Sequence, residues 1–214
     1  MTSAVTPPAS RSTYRHGDLR RALLEAGIEL ARQGGPSAIV LREATRRAGV
    51  VPNAAYRHFA SRGDLLLAVR AAALSALATA MEAELDKLDG DSPPADYARA
   101  SLRAVGAGYL SFASKEPGLF RTAFAPADGP LNVPPADKAG RGGLDPFQLL
   151  SAALDRMAAA GLLTPERRHA AEYLAWSSVH GLAMLVIDGP LRGFSPAQVE
   201  AVGQRLLEMV EKGL

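Results

Sequence analysis

One stretch near the N-terminus, REATRRAGVVPNAAYRHFASRGDLLLA at residues 42–68, groups the side chains of this chain that could bind a polyanion. Five arginines, a tyrosine and a histidine lie on either side of Gly49. Arginine, tyrosine and histidine donate hydrogen bonds to phosphate oxygens, and arginine can also donate two hydrogen bonds to guanine. The chemistry that these residue types indicate is the binding of nucleic acid.

The net charge of the whole chain does not predict such binding, but the distribution of charge does. The net charge is +2. Ten arginines against five acidic residues give residues 1–65 a charge of +5, whereas fourteen basic and seventeen acidic residues give the remainder −3. A basic segment can also be an ordinary solvated helical face, so the positions of the arginines must decide between these interpretations.

The spacing of the apolar residues predicts helices almost throughout, and the fold class is therefore predicted to be all-α. Leu19, Leu23 and Leu30 recur at helical spacing. Asp18 precedes them and is a favourable N-cap. Gly34 ends this first helix, since glycine is common directly after a helix C-terminus.

Two shorter helices follow, joined by the turn AGVVP. The first covers residues 41–48, and the second begins at Pro52, where the missing N–H would be unpaired in any case. Gly49 suits the turn because glycine adopts a positive φ without a Cβ clash. A fourth helix is predicted after Ser61, whose side chain can form a reciprocal cap with Asp64.

The two short helices form a helix-turn-helix pattern, in which the second helix can enter the major groove of DNA while the first lies across the backbone. On that geometry, the side chains placed to reach phosphates are Arg42, Arg47, Tyr56, His58 and Arg62. Those placed at base edges are Asn53, Ala54 and Arg57. Arginine can read guanine, asparagine can read adenine, and alanine offers only a methyl contact to thymine. Spacing alone leaves a plain basic helical hairpin as the alternative.

Residues 65–214 are predicted to form a second helical domain. Its helices are expected at residues 65–87, 96–115, 145–161, 166–187 and 195–212, with a short one in EPGLFRTAF. Residues 126–143 are rich in proline and glycine, which predicts a mobile loop. Residues 1–15 are predicted to be a disordered, weakly basic arm, and residues 16–64 the helix-turn-helix domain.

The segment LREATRRAGVVPNAAYRHFASRGDLLLAV resembles the N-terminal domain of the TetR family of bacterial transcriptional regulators. The most specific part of the match is AGV-P--A-YRHF followed by -DLL. The resemblance implies an all-helical homodimer that binds a palindromic operator on double-stranded DNA, mostly as a repressor, and releases it when a small molecule enters the C-terminal domain. Two departures stand out: family members usually have Ser or Thr where Val51 stands, and Leu or Ile where Ala55 stands.

A second element, AWSSVHGLAML, resembles the Trp-x-x-x-His-Gly motif of one TetR subfamily named for those residues, and EPGLFRTAFA also fits that subfamily. In the family the last two long helices of each subunit make the dimer interface. The interface candidates that this implies are Trp176, His180, Gly181, Met184, Val202 and Leu206. For Trp176 and His180, packing in the core or beside a ligand is the alternative.

A ligand pocket is expected among the helices in the middle of the second domain. The candidates are the large side chains on apolar faces there, namely Tyr109, Phe112, Phe120, Phe124, Phe147, Leu150, Met157 and Trp176. An ordinary hydrophobic core would show the same pattern of large side chains on apolar helix faces, and this is the alternative to a pocket. If the pocket exists, these side chains favour a hydrophobic or aromatic effector. A DNA-binding regulator that senses a protein partner, or that has no ligand, is the alternative.

Catalysis finds little support in the sequence. Ser177, His180 and Asp188 could supply a nucleophile, a base and an orienting group, but nearby positions of one helix seldom give that geometry. No Gly-rich phosphate loop and no metal-ligand spacing occurs, and the chain has four His and no Cys. Neither an enzyme activity, a cofactor nor a metal is predicted. Without an uncharged apolar run of about 18 residues, a cytoplasmic location away from membranes is expected.

Overall fold

The computed structural model describes residues 16–126 and 134–214, and all regular structure in these residues is helical, as predicted. The α-helices in chain order are α1 (His16–Gly34), α2 (Leu41–Arg47), α3 (Pro52–Ala55), α4 (Arg62–Leu85), α5 (Pro94–Lys115), α6 (Pro117–Ala123), α7 (Pro146–Ala159), α8 (Pro165–Arg168), α9 (Ala171–Ile187) and α10 (Pro196–Gly213). Two short 3₁₀ helices are Gly35–Ala38 and Pro135–Lys138. The predicted basic arm, residues 1–15, lies outside the described residues.

The helices α1, α2 and α3 pack around a small apolar core together with the start of α4. Leu23, Ile39, Phe59 and Leu65 are almost completely buried in this core. Because α1 begins at His16, Asp18 lies within the helix and not at its N-cap. That prediction is wrong, since residues 16–18 are themselves helical.

The helix α4 joins this N-terminal group to the rest of the molecule. The Ser61 hydroxyl accepts a hydrogen bond from the Asp64 N–H, and the Asp64 carboxylate accepts one from the Ser61 N–H, so the predicted reciprocal cap is confirmed. Further along α4, Leu77 and Met81 are buried, and the backbone at Met81 approaches α5 closely. Among the described helices, α4 is long and apolar enough to cross a membrane. Of its apolar 18-residue stretch, 39% is buried against the rest of the protein.

The helix α5 lies at the centre of the C-terminal group and contacts α4, α6, α7, α9 and α10. The carboxylate of Glu211, on α10, is buried and pairs with Arg99 and Arg103 of α5. Removing one partner of a buried ion pair leaves an uncompensated charge, which is strongly destabilising. These ion pairs therefore fix the end of α10 against the start of α5.

The single helix predicted at residues 166–187 is divided into α8 and α9, so that prediction is wrong. Ala170 separates them with a left-handed backbone, at φ 59°. This conformation costs an L-residue about 1 kcal/mol. On the α8 side of the break, Arg168 forms ion pairs with Asp155 and Glu172 and a hydrogen bond to the Ser151 hydroxyl. These contacts tie α8 to α7 and offset the strain.

The loop predicted to be mobile at residues 126–143 is only partly described, because residues 127–133 lie outside the described residues. Residues 134–143, here called the strap, are fastened to α4 by hydrogen bonds. The Glu82 carboxylate accepts hydrogen bonds of 2.8 Å from the backbone N–H groups of Arg141 and Gly142. The Ser75 hydroxyl donates to the Ala139 carbonyl at 2.6 Å.

The helix α6 crosses α1 at Gly118 without space for a side chain. A Cβ added at Gly118 would lie 2.6 Å from the Arg32 carbonyl oxygen and nearer still to that of Ala31. Because both neighbours are backbone atoms of α1, they cannot move aside without distorting that helix. We expect Gly118→Ala to lower the free energy of unfolding by about 1–3 kcal/mol, as overpacking does. Urea denaturation measures this difference.

The matched control is Gly90→Ala, since a Cβ at Gly90 would meet no atom within 4 Å. A Gly118→Ala protein as stable as the Gly90→Ala protein would show that α1 and α6 do not pack this closely.

Candidate functional site

The turn between α2 and α3 is held by two backbone hydrogen bonds that end α2. The N–H of Gly49 donates to the Arg46 carbonyl at 3.2 Å, and the N–H of Val50 donates to the Thr45 carbonyl at 3.1 Å. This pattern is a Schellman motif, which requires a left-handed residue directly after the helix. Gly49 supplies it with φ 67°, which confirms the predicted positive φ.

The second helix of the pair is shorter than expected. α3 ends at Ala55, and Tyr56, Arg57 and His58 lie in the turn that follows. The position of Val51 explains part of this: its side chain is 68% exposed and cannot cap the helix, leaving only its backbone carbonyl to accept from the Ala54 N–H. Ala55 and Phe59 are fully buried and fasten α3 to α1 and α2.

The exposed residues among the predicted DNA contacts include Arg42, Asn53, Tyr56 and Arg57. In the part of the chain that the structure describes, none of their side chains makes a hydrogen bond or an ion pair, so their donors are available to a ligand. Ala54 and His58, which are also predicted to contact DNA, are half-buried.

Arg47 differs from these residues because its guanidinium already has partners. It donates to Glu43 at 3.0 Å and to Gln33 at 2.8 Å. Arg46 also donates two hydrogen bonds to Glu43. The hydrogen bonds from Arg46 and then Arg47 lower the pKa of Glu43 to about 2, so this carboxylate stays charged at any working pH. Glu43 thus holds both arginines against α2.

Arg62 also has protein partners, which the sequence did not predict. Its Nε donates to the Ile39 carbonyl and its Nη2 to the Pro36 carbonyl, both at 2.7 Å. These bonds tie the first turn of α4 to the segment that precedes α2. Arg62 therefore has a structural role beside the predicted phosphate contact, for which the two N–H groups of its Nη1 remain.

A cavity of about 140 Å³ lies among α4, α5, α7, α9 and α10. Five of the eight pocket candidates line it: Tyr109, Phe124, Phe147, Leu150 and Trp176. The other three, Phe112, Phe120 and Met157, do not line it and are buried in the surrounding core. The remaining wall is almost wholly apolar.

The polar atoms of the inner wall hydrogen-bond to one another. The Trp176 Nε1–H donates to the Tyr109 oxygen at 3.1 Å, and the Tyr109 hydroxyl lies 2.8 Å from the His180 Nδ1. Because the Tyr109 oxygen accepts from Trp176, its own proton can be donated to a neutral His180. Burial raises the pKa of Tyr109 and lowers the pKa of His180, so both groups are neutral at neutral pH.

An ion pair lies on the outer wall of the cavity, where Lys138 Nζ is 2.8 Å from Asp145 Oδ2. Asp145 is also the N-cap of α7, since its Oδ1 accepts from the Gln148 N–H at 2.9 Å. Burial acts to raise the pKa of Asp145, but the hydrogen bonds from Lys138 and Gln148 outweigh it and lower that pKa. The strap places Lys138 here, so one segment touches both α4 and the cavity.

The helix α6 connects the cavity with the N-terminal group. Phe124, directly after α6, lines the cavity and packs edge-on against His180, with ring centroids 4.9 Å apart. Arg121 forms a two-pronged ion pair with Asp188 at the end of α9. Because the other side of α6 packs against α1 and Gly35–Ala38, it touches both parts of the molecule.

An exposed apolar face covers the outer sides of α9 and α10. The side chains that share it are Tyr173, Leu174, Met184 and Leu185 on α9, and Val202 and Met209 on α10. Gly181 lies on this face with no atom within 4 Å of an added Cβ. Leu206 is half-buried beside it. Trp176 and His180 do not belong to this face, because their ring nitrogens bond inward to Tyr109.

The residues considered for catalysis are not assembled into a site. The Ser177 hydroxyl donates to the Leu174 carbonyl, His180 Nδ1 is bonded to Tyr109, and Asp188 is paired with Arg121. Among the side chains that the structure describes, no three His, Asp or Glu residues are grouped as metal ligands.

The role of Arg62 can be tested by its effect on stability. We expect Arg62→Ala to lower the free energy of unfolding by about 1–2 kcal/mol, because two hydrogen bonds from a charged donor are lost. Arg57→Ala serves as the control and should change it by less than about 0.5 kcal/mol, since that side chain is exposed and unbonded. Equal free energies of unfolding of the two variants in urea denaturation would contradict a structural role of Arg62.

The inner hydrogen-bond network predicts a pH dependence. The folded-state pKa of His180 lies below its usual 6.5, so the unfolded chain binds a proton more readily. The contribution of neutral His180 to stability is complete above pH 6.5 and declines as the pH falls below that value. We expect the loss of unfolding free energy between pH 7.5 and pH 5.5 to be smaller in His180→Asn, whose amide oxygen can still accept from Tyr109. An identical loss in both proteins contradicts this assignment.

Solved structures with this fold extend over nearly the whole chain. A protein with unknown function from Rhodococcus sp. RHA1 is 26% identical with a TM-score of 0.73, and the match covers 95% of this chain and 99% of that one. FadR from Bacillus subtilis, in complex with stearoyl-CoA, is 14% identical with a TM-score of 0.66, over 91% and 98% of the two chains. A TetR variant from Acinetobacter baumannii AYE, in complex with minocycline, is 17% identical with a TM-score of 0.54, over 89% and 93%.

Family models match both parts of the sequence, whereas no curated protein matches it significantly. The model of bacterial regulatory proteins of the tetR family matches residues 23–69, which include α2, α3 and the exposed side chains described above. The model of the tetracyclin repressor-like C-terminal domain matches residues 102–210, more than half of the chain. These matches include the helix-turn-helix and most of the residues that line the cavity, and the chain belongs to the tetR family of bacterial transcriptional regulators.

Proposed function

We propose that this regulator is a cytoplasmic homodimer that binds a palindromic operator, most simply as a repressor, and leaves it when a small, mainly apolar molecule fills the cavity. The observation that carries the proposal is the position of α6. Its C-terminal end borders the cavity at Phe124, and its packed face contacts α1 of the DNA-binding helices. A molecule in the cavity therefore touches an element that also touches the DNA-binding part.

Contacts with DNA are assigned from exposure and from available donors. Arg42, Tyr56 and His58 are proposed to bind phosphates, which fixes the register of the protein on the duplex. Asn53 and Arg57 are proposed to read base edges, with Ala54 close enough for a methyl contact to thymine. Arg47 is proposed to reach a phosphate while Glu43 orients it. Arg62 holds the start of α4 and is proposed to reach a phosphate through its Nη1 group.

The proposed dimer interface is the exposed apolar face of α9 and α10. Tyr173 and Leu174 are both more than 60% exposed and Met209 is 59% exposed, an unusual amount of apolar surface for neighbouring helices of a soluble protein. Gly181 would let the partner's helix approach closely. Two such faces brought together would form a bundle of four helices, with the two recognition helices on one side of the dimer.

The motif formed by Trp176, His180 and Gly181 supports membership in the subfamily that is named for these residues. Trp176 and His180 meet at the hydroxyl of Tyr109, and Gly181 faces outward. One turn and a half of α9 thus contributes Trp176 to the cavity wall, His180 to the hydrogen-bond network behind that wall, and Gly181 to the proposed interface. Ligand binding and dimer geometry would be coupled at this point.

The release mechanism that we propose is a population shift between two dimer geometries. In the DNA-bound geometry the recognition helices lie in successive major grooves about 34 Å apart. A ligand that favours another packing of α6 and α4 would change that spacing. The contacts that transmit the change are those of Gly118 with α1 and of Arg62 with the Pro36 and Ile39 carbonyls.

The proposal is tested by the binding of the purified protein to the intergenic DNA upstream of its own gene, measured by fluorescence anisotropy at two salt concentrations. We expect tight binding to a palindrome that scrambled DNA does not displace. Leu174→Glu should weaken this binding by at least about a hundredfold, because half-sites bound independently lose the advantage of a linked pair. Sedimentation should show this variant as a monomer.

The matched control is Gln204→Glu, a change of an exposed residue on the side of α10 away from the proposed interface. A dimeric Leu174→Glu protein with unaltered DNA affinity would contradict the interface. Weak binding that salt abolishes for every DNA sequence would contradict operator recognition. Retention on the operator in the presence of small-metabolite extracts would favour a regulator without a small-molecule ligand.

A further inference from the structure

The cavity wall contains four side chains with polar groups, and in three of them every polar atom already has a hydrogen-bonding partner within the protein. Trp176 donates its single N–H to Tyr109, and the Tyr109 hydroxyl is shared with His180. The two oxygens of Asp145 accept from Gln148 and from Lys138. The fourth group is the ammonium of Lys138, which has three N–H donors.

Lys138 has one hydrogen-bonding partner among the described residues, which is Asp145. Two of its N–H donors are therefore available. Its side chain is 33% exposed, and Phe147 on the same wall is 39% exposed, so this part of the wall is where the cavity opens to solvent. A molecule in the cavity would meet only apolar surface and satisfied polar groups inside, and one cation with free donors at the opening.

From this distribution we propose that the effector is an amphipathic carboxylic acid, whose apolar body fills the cavity and whose carboxylate accepts hydrogen bonds from Lys138 at the opening. The inference rests on the proposed function, because it names the chemical class of the molecule that the cavity binds. An apolar body is stabilised by burial against side chains such as Leu102, Val105 and Trp176. A charge-assisted hydrogen bond at one end fixes its orientation.

The same geometry disfavours a cationic ligand. An ammonium group could reach the wall only at Asp145, whose side chain is 12% exposed and has both oxygens occupied. It would have to displace Lys138 and would then lie close to a like charge. A carboxylate needs to displace nothing, since Lys138 keeps its bond to Asp145 while it donates the second. Asp145 repels an incoming carboxylate, however, so its neutralisation should strengthen the binding of acids.

The position of the strap gives this ligand a route to α4. Lys138 lies in the strap, and the following residues of the strap are bound to α4 through Ser75 and Glu82. A carboxylate that moves Lys138 would therefore also act on the hydrogen bonds between the strap and α4. The same side chain would thus recognise the ligand and connect it with the helix that carries the DNA-binding part.

The test uses the fluorescence of Trp176, which is the only Trp of the chain and lines the cavity. The full-length protein, without DNA, is titrated with octanoate and with octan-1-ol at pH 7.5, and the ratio of the two affinities is compared between variants. We expect Lys138→Met to lower the acid-to-alcohol ratio about tenfold, the effect of losing one hydrogen bond to a charged group. The methionine keeps the length and the apolar stem of the side chain.

Asp145→Asn is expected to raise the same ratio severalfold, because it removes the nearby negative charge while the amide oxygen still caps α7. Lys212→Met, an exposed lysine in the last turn of α10, is the matched control and should leave the ratio unchanged. Thermal unfolding of each variant establishes that the fold is retained.

Four results would overturn the inference. The first is an acid-to-alcohol ratio that Lys138→Met does not change. The second is a preference for octylamine over octan-1-ol that Asp145→Asn abolishes, which would mean a site for cations. The third is the absence of any change in Trp176 fluorescence with octanoate and octan-1-ol, and the fourth is a ratio that Asp145→Asn lowers. None of these depends on DNA, so operator binding measured separately would show whether the proposed regulator stands without this ligand class.

Discussion

The burial of apolar side chains at both ends of α4 is the interaction on which the rest of the structure depends. Leu65 and Val69 complete the core of the DNA-binding helices, and Leu77 and Met81 belong to the core around the cavity. Full burial of each such side chain contributes about 1.5–3 kcal/mol. The sum over four residues is comparable to the stability of a whole domain. The two parts of the molecule therefore cannot move independently of this helix.

Polar contacts then determine how the neighbouring segments are attached to α4. Arg62 sets the position of the segment before α2 by binding two carbonyls, and the cap of Ser61 and Asp64 sets the start of the helix. At the far end, Glu82 holds the strap by two backbone N–H groups. The contacts of Arg62 and Glu82 join α4 to the segment before α2 and to the strap, so hydrogen bonds add to burial in determining where these two segments lie.

Features with a local sequence signal could be predicted, and features that join distant residues could not. The turn at Gly49 and the cap at Ser61 depend on residues three to five positions apart, so the sequence contains the whole arrangement. The network of Tyr109 with Trp176 and His180 spans about seventy positions and leaves no periodic trace. The break between α8 and α9 at Ala170 could not be predicted either, because nothing in the composition around a left-handed alanine distinguishes it from a helical one. For Arg62, the helix-turn-helix geometry suggested a DNA contact but gave no sign of the two backbone carbonyls of the same chain that it binds.

The self-contained hydrogen bonding of the inner cavity wall has a consequence for water. A water molecule needs two to four polar partners to be held in a buried space, and an apolar cavity without them stays dry. Because Trp176, Tyr109 and His180 satisfy one another, a water molecule in the inner cavity would find almost no partner. An apolar body that enters it would displace little solvent and gain new dispersion contacts, so its binding is expected to be driven by enthalpy and to lower the heat capacity. Calorimetry should therefore show a favourable binding enthalpy and not the favourable entropy that accompanies the release of ordered water from an apolar surface.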